Sequence, residues 1–490
     1  MKLDHNTCYS ALLSRDSRFD GRFFVGVSST GIYCRPVCRV KTPKQINTHY
    51  FTSAAAAEKA GYRPCLRCRP ELAPGLAPLD SGNTLAQTAK EMIDKGALQE
   101  HSTNQLAARL GISDRYLRKI FNTAFGVSPL EYNHSRRLLL ARHLLLDSGL
   151  SISDIALAAG FNSIRRFNSA FKETYRQAPS AFKRQPGKHG NHVEESIYLE
   201  LAYRAPFAWE AFRDFLKPRL ITGVENVDEH SYRRTLRFID GNGTILQGWL
   251  EIRHLPKKTR FGITLSLSLL PQLSWLKNRI HHFLDLSNNP LETATFFQEK
   301  SETVEEWEEG LRVPGCFSGF ETGVRAILGQ QITVAAAIKK LGQFTEAFGT
   351  PIDTPFPELN RAFPAPSDIP DISIDQIASL GIIRQRAQAI RLLAEKNFED
   401  SMLLEPGLHT DTQIQQLLEI KGIGEWTAQY IAMRGLGWTD AFPAGDVGVL
   451  KALSQRHGRE IKTPEAKTMS DQWRPWRSYM TMYLWRQLAN

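Results

Sequence analysis

Two pairs of cysteines near the start of the chain constrain its fold more than any other feature. Cys34-Arg-Pro-Val-Cys38 is followed, 26 residues on, by Cys65-Leu-Arg-Cys68. Thiols at C-x3-C and C-x2-C spacing sit on tight turns and supply the tetrahedral sulfur shell that Zn²⁺ prefers. Iron–sulfur ligation is the lesser alternative. Five of the six cysteines lie before residue 70. The opening MKLDHNTCYSALLSRD has no apolar stretch with a small-residue cleavage site, so no signal peptide is read and a cytoplasmic location is expected. In a reducing compartment such clustering points to metal or thiol chemistry rather than cross-links. Cys8 reads as a further surface thiol without a role.

Four thiolates on one Zn²⁺ leave a charge of about −2, so one sulfur stays electron-rich. Arg35, Arg39, Arg63, Arg67 and Arg69 lie close by in sequence and are expected to form a basic rim. A nucleophilic sulfur inside such a rim suits attack on a DNA backbone group. From spacing alone, a zinc staple without chemistry is the default reading.

At 490 residues the chain has room for three or four domains, and no run of eighteen apolar residues suggests a membrane span. Charge is unevenly spread. Residues 1–190 carry 28 Lys and Arg against 14 Asp and Glu, or +14, while the remaining 300 carry 33 against 37, or −4. A basic front half suggests a phosphate-rich partner, although a solvated basic surface would read the same way.

Pro- and Gly-rich joints fall at residues 70–83 (PELAPGLAPLDSGN) and 184–191 (RQPGKHGN), with a softer break at 287–290. Between the first two joints the apolar spacing is helical. After the second it becomes strand-like: residues 232–238 and 248–252 flank Asp240-Gly241-Asn242-Gly243, a hairpin signal, and TRFGITLSLSLL (259–270) alternates as a half-buried strand. From residue 290 the pattern is helical again.

Within the first helical stretch two similar units recur. Leu106-Ala-Ala-Arg-Leu-Gly111-Ile-Ser113 precedes Arg115 and Arg118, and Ile155-Ala-Leu-Ala-Ala-Gly160-Phe-Asn-Ser163 precedes Arg165 and Arg166. Each reads as helix, glycine turn and Ser-capped second helix, the two joined by a long helix over 129–147. Second helices of this kind enter the major groove, so these four arginines are the candidate DNA contacts. Leu117, Ile120, Phe121, Phe167 and Phe171 are read as core.

Near the C-terminus, Lys421-Gly422-Ile423-Gly424-Glu425 has the form of a helix-hairpin-helix, whose glycines let backbone N–H groups approach a phosphate. Asp446 follows 22 residues after Gly424. An aspartate in this position also reads as a plain helix cap.

These motifs carry resemblances. STGIYCRPVCRV with AGYRPCLRCRPE resembles the N-terminal domain of the Ada family, residues 84–185 resemble AraC-type regulators, and residues 193–490 resemble AlkA-like glycosylases, through FSGFETGVRAILGQQITV, the hairpin and Trp476 to Trp485. The implied architecture is multidomain and mainly α with α+β parts: a small zinc and methyl-acceptor domain (1–76), a double helix-turn-helix (84–185), a TBP-like α+β domain (193–287) and an all-α helix-hairpin-helix glycosylase domain (290–490). The Ada resemblance implies one Zn²⁺ on Cys34, Cys38, Cys65 and Cys68, with Cys34 accepting a methyl from a methylphosphotriester in a single turnover. The AlkA resemblance implies a monofunctional 3-methyladenine-type glycosylase in which Asp446 stabilises the oxocarbenium-like sugar. It further implies a base pocket of Trp426, Tyr430, Trp485 and Phe215, with Gly422 and Gly424 on phosphate. Gln331 stands where an apolar wedge is usual. Trp426 occupies the place of a lyase lysine, so no Schiff base is expected, and with Cys316 as the last cysteine no Fe–S cluster is expected in this half. No Pro-Cys-His-Arg motif is present, so O6-methylguanine repair is not expected. Promoter and alkylated duplex DNA, RNA polymerase, a nucleoid setting, a monomeric state and a monovalent cation at the hairpin complete the expectation. The alternative is a transcriptional regulator whose glycosylase half is an inactive docking module.

Overall fold

The computed structural model describes residues 4–16, 19–73, 84–94, 96–100, 102–183, 196–239, 244–299, 304, 306–400, 402–406 and 410–488. Most of the first joint, the second joint and the 240–243 hairpin turn lie outside these residues. The chain divides into two compact units, residues 1–205 with 252–278 and 286–289, and residues 206–251 with 279–285 and 290–490. Among the described residues, no helix is long and apolar enough to cross a membrane.

The first unit opens with a four-stranded sheet. Strand Phe24–Val27 pairs antiparallel with Ile32–Cys34 on one side and Thr48–Phe51 on the other, and Arg63–Pro64 runs parallel to Ile32–Cys34. This register sets Cys34 at a strand end while Tyr33 O accepts from the Cys65 amide at 3.0 Å, so one pair of strands delivers both cysteine pairs. Cys8 is buried in the cluster of Leu12, Phe23 and Val25, and burial pushes its thiol up to about 11. It is a core residue, not the surface thiol its sequence position suggested.

The helix-turn-helix units form as the spacing predicts. Helix Thr103–Arg109 turns at Gly111 (φ 67°), Ser113 caps the next helix by accepting from Tyr116 N, and Asp114–Phe125 follows. The second unit repeats this with Ile152–Ala158, Gly160 (φ 77°), the Ser163 cap and Ile164–Tyr175. Leu117, Ile120, Phe121, Phe167 and Phe171 are all buried. The joining helix Pro129–Asp147 starts in a capping box from Ser128 and Glu131. Ser135 and Arg142, two turns apart on one stripe, face the cysteine lobe. Ser135 donates to Glu58, and the fully buried Arg142 donates to Glu71 and to the Cys65 carbonyl (3.2 Å). Arg137, on another stripe, donates to the carbonyls of Ala159 (2.9 Å) and Gly160 in the second turn. One helix thereby braces both.

Strand Ser196–Ala202 pairs antiparallel with Arg260–Ser266 in this unit. The latter is shorter than the alternation over 259–270 suggests. After Ser266 the chain enters a 3-10 helix, Leu267–Gln272, in which Leu269 and Leu270 are buried and Pro271 has no N–H for a ladder. In the second unit, strand Ser231–Ile239 lies between Glu225–Val227 and residues 245–251. Apart from a short antiparallel pair, Thr350–Pro351 with Arg361–Ala362, the remaining regular structure of the second unit is helical among the described residues. The apolar helix Gly319–Gly329 packs against Val334–Phe348, Arg384–Glu399 and Glu425–Arg434, and Val447–His457 packs against Arg477–Gln487.

Candidate functional sites

Each unit contains one chemically distinctive cluster. In the first, the four sulfurs of Cys34, Cys38, Cys65 and Cys68 lie within 4.8 Å of one another. A tetrahedral Zn²⁺ with Zn–S near 2.3 Å needs sulfurs about 3.8 Å apart, so the quartet fits that ion with a small contraction. Cys34, Cys38 and Cys65 are buried and Cys68 is half-buried. Thiols this close compete for protons: hydrogen bonding with Cys38 pushes Cys34 up, while that with Cys34 holds Cys65 down. A dication removes that conflict by letting all four ionise.

The basic rim is smaller than the sequence suggested. Arg39, Arg63 and Arg67 are exposed, whereas Arg35 is buried against Asp20 and donates to the Cys68 carbonyl at 3.2 Å. Arg69 pairs with Glu71 at 2.9 Å. Both turn inward because the lobe buries two carboxylates that need cations. The Arg35 amide donates to Cys68 Sγ at 3.4 Å, and the amides of Val40 and Cys68, after the neighbouring thiols, draw down Cys38 and Cys65. Such N–H···S bonds withdraw electron density, and among the described residues none reaches Cys34 Sγ.

On the helix-turn-helix units, Arg115, Arg118, Arg165 and Arg166 are all exposed, with Arg118 held by Asp114 at 2.7 Å. Tyr116 and Ile164 are exposed beside them, apolar surface that no fold-stabilising role explains.

In the second unit, a cleft of about 1230 Å³ is lined by Gln331, Gly422, Gly424, Trp426, Tyr430, Asp446 and Trp485 among others. Asp446 caps helix Val447–His457, its Oδ1 accepting from Val449 N at 3.0 Å. The same oxygen accepts from Trp485 Nε1 at 2.8 Å, and Oδ2 accepts from Trp426 Nε1 at 2.9 Å. The cap reading and the site reading of this residue are therefore compatible: the helix end fixes the carboxylate, and two indoles orient it. Trp426 stacks on Tyr430 (centroids 5.4 Å apart, 25°). Phe215 is not among the lining residues. It is buried, stacked on Trp485 at 5.8 Å and 15°, so it supports a wall rather than forming one.

The hairpin connects Thr410–Leu418 to Glu425–Arg434. Gly422 has φ 98°, and a Cβ there would meet Ala389 Cβ at 2.9 Å, so the position demands glycine. Gly424 has extended backbone and open space around its missing Cβ. The loop after Gly329 is clamped: Gln330 donates to Gly422 O and Thr427 Oγ1, both at 2.9 Å, and accepts from Arg386. This clamp holds Gln331 at the cleft with φ 55°, followed by the exposed Ile332.

Sequence reading missed the arginines of this cleft. Arg219 and Arg434 each lie four residues after an aromatic, Phe215 and Tyr430, and that helical spacing was the available signal. Arg434 donates to Tyr430 OH at 2.9 Å. Burial pushes the Tyr430 phenol up, but Arg434 and Arg219 outweigh it and bring it below its ordinary value. Arg325 is paired with Glu225 and Glu321, while Arg234 pairs with Glu321. Burial pushes Glu225 up, and Arg325 and Arg234 draw it down to about 2.

Known proteins share these parts in the same order. Residues 7–71 match the metal-binding domain of Ada, 106–185 a helix-turn-helix domain, 198–318 the AlkA N-terminal domain and 324–478 the HhH-GPD superfamily of base excision DNA repair proteins. A Mycobacterium tuberculosis protein named as a bifunctional transcriptional activator/DNA repair enzyme AlkA is 34% identical over 492 aligned residues, covering 99% of this chain and 97% of the relative. The chain belongs to that bifunctional AlkA family. Within this AlkA-type arrangement each half also has separate relatives. DNA-3-methyladenine glycosylase 2 of Escherichia coli is 29% identical over 58% of this chain and 95% of its own length. The bifunctional transcriptional activator/DNA repair enzyme Ada of the same organism is 28% identical over 36% of this chain and 48% of its own length. The chain is thus a multidomain DNA-binding protein with a cysteine metal site, a helix-turn-helix region and a helix-hairpin-helix glycosylase fold.

Proposed function

We propose that the chain releases alkylated purines from duplex DNA by hydrolysing the glycosidic bond, and separately takes a methyl group from a methylphosphotriester onto Cys34. The observation that carries the first part is Asp446: a half-buried carboxylate, fixed by two indole N–H groups and a helix N-terminus, on the wall of an aromatic cleft beside a helix-hairpin-helix. An extruded 3-methyladenine leaves as a neutral base, so the demand on the protein is to stabilise the cationic sugar, and a fixed carboxylate does that. The C1′–N bond breaks with its electron pair going to the base, and water adds to C1′, one of its protons passing to solvent. Trp426 and Tyr430 offer π-faces to the base, Gly422 and Gly424 approach a phosphate, and Gln331 fills the gap in the stack. No lysine stands at position 426, which supports release without a Schiff base.

For the second part, zinc would hold the four sulfurs as thiolates and keep one of them nucleophilic. The Cys34 sulfur, least quenched by N–H donors, attacks the methyl carbon. The S–C bond forms, the C–O bond breaks, and its electron pair stays on the phosphate oxygen. Arg39, Arg63 and Arg67 favour that anion. Loss of one thiolate charge strengthens DNA binding, and Arg115, Arg118, Arg165 and Arg166 would read the promoter.

The four-part division at 1–76, 84–185, 193–287 and 290–490 belongs to this reading, as do RNA polymerase as partner and action as a monomer. A monovalent cation at the hairpin would rest on carbonyls other than Gly422 O, which already accepts from Gln330. The test is base release from methylated duplex by parent and Asp446→Asn, with mass spectrometry of the Cys34 peptide after exposure to methylphosphotriester DNA. No release by the parent defeats the enzymatic part, and an unmodified Cys34 defeats the transfer.

A further inference from the structure

Within the first compact unit, the helix Pro129–Asp147 has no solvent face along its second half. Residues 138–145 (LLLARHLL) are all buried, and eight consecutive residues span just over two turns, so every side is covered. A helix at the surface of a domain keeps one polar face, whereas one that is apolar all round is enclosed. The two polar residues in this stretch, Arg142 and His143, are themselves buried.

The enclosure has two sources. Most of it comes from the first 183 residues, through Ala54–Lys59 and Pro70–Leu72 of the cysteine lobe and the helices of both helix-turn-helix units. The remaining wall comes from beyond the second joint. Strand Ser196–Ala202 packs on the same helix, and the 3-10 turn Leu267–Gln272 packs on Ile152–Ala158. Polar groups cross this boundary too. Arg204, only 2% exposed, donates to the Asp20 carbonyl at 3.2 Å as well as to the Ser287 carbonyl at 3.0 Å. Asn278 donates to the Asp94 carbonyl. Lys277 sits among Arg136, Glu71 and Asp94: burial, then Arg136, push its ammonium down to about 7 against the two carboxylates. Apolar cover with satisfied buried carbonyls is how a domain core is built, and an interface of that kind holds without a covalent tether.

We propose that this surface, and not the joint at 184–195, holds the regulatory half to the strand layer formed by Ser196–Ala202 and Arg260–Ser266, so that the two bind each other when the chain between them is cut. Arg115, Arg118, Arg165 and Arg166 are exposed in the assembled unit. The regulatory half therefore carries the strand layer with it onto any duplex that those arginines grip.

The experiment uses the full-length protein with a specific protease site placed within residues 184–195. After cutting, size-exclusion chromatography with mass detection at micromolar concentration is expected to show one species with the mass of a single intact chain. Duplex DNA added at low salt is expected to shift both pieces together. Dilution of the cut protein then gives its dissociation midpoint. Arg204→Ala with Asn278→Ala is expected to raise that midpoint about a hundred-fold, about ten-fold for each buried carbonyl left without its donor. Asn278→Ala alone is expected to fall between, and thermal midpoints of the uncut variants report their folding. Pieces that elute apart overturn the proposal. So does a species with the mass of two chains, which would place the strand layer of a second copy on the regulatory half. A dissociation midpoint unmoved in whichever variant folds overturns it as well.

Discussion

The two oxygens of Asp446 accept from Trp426, Trp485 and the Val449 amide, and each bond to a carboxylate is of the charge-assisted kind. Asp446→Asn is expected to reduce 3-methyladenine release about 10²- to 10³-fold without shifting the thermal midpoint by more than a few degrees, checked by release kinetics and calorimetry. Trp485→Phe keeps the ring but deletes one such bond, about 1.5 kcal/mol, and so is expected to cost about ten-fold in the same assay. A different residue reports on pH. Glu58 is pushed up to about 7, first by burial, against the hydrogen bonds from Ser135 and Tyr33. Its unfolded value lies near 4.5, so the folded chain binds the extra proton between those two values, and stability falls as pH rises through that window. Glu58→Gln is therefore expected to raise the thermal midpoint relative to the parent at pH 8 and to leave it unchanged at pH 4. Equal shifts at both values would count against this. Asp446 was legible because its distance from the hairpin is a local number. The pairing of Arg325 was not, since it depends on Glu225 and Glu321, 96 residues apart in sequence, being brought to one guanidinium.

At the level of elements, the hairpin contains two glycines with different reasons to exist. Gly422 is fixed by a positive φ and by Ala389, whereas Gly424 has empty space where a side chain would be. Gly422→Ala is expected to destabilise the fold by about 1–2 kcal/mol. Gly424→Ala is expected to leave stability within about 0.5 kcal/mol and to weaken duplex binding. Urea denaturation and a binding titration separate the two, and equal effects on stability would remove the phosphate argument for Gly424. The repeated Ser–helix–Gly grammar made the helix-turn-helix units readable to within a residue or two, because caps and turns are set by neighbours in sequence. Strand Arg260–Ser266 was overextended on paper for the opposite reason: alternation continues through Leu267–Leu270, but a proline and the burial of consecutive leucines turn the chain.

For the molecule as a whole, the +14 charge of residues 1–190 is the dominant long-range feature. Promoter affinity is expected to fall steeply with salt, and replacing Arg115, Arg118, Arg165 or Arg166 by Ala is expected to reduce the log–log slope by about one wherever that residue grips a phosphate. Titrations at several salt concentrations decide this for each arginine in turn. The division into a basic front and a weakly acidic back was plain from counting. The inward turn of Arg35 and Arg69 was not, because a charge count does not say which cations are taken up by buried carboxylates.

The Arg142 guanidinium completes the hydrogen bonding of both Glu71 and the Cys65 carbonyl from a helix more than 60 residues downstream. Anyone dissecting the protein meets the consequence at once. A fragment ending near residue 76 would keep every sulfur yet lose the cation beneath them, while one carried through residue 183 keeps the lobe on its own foundation.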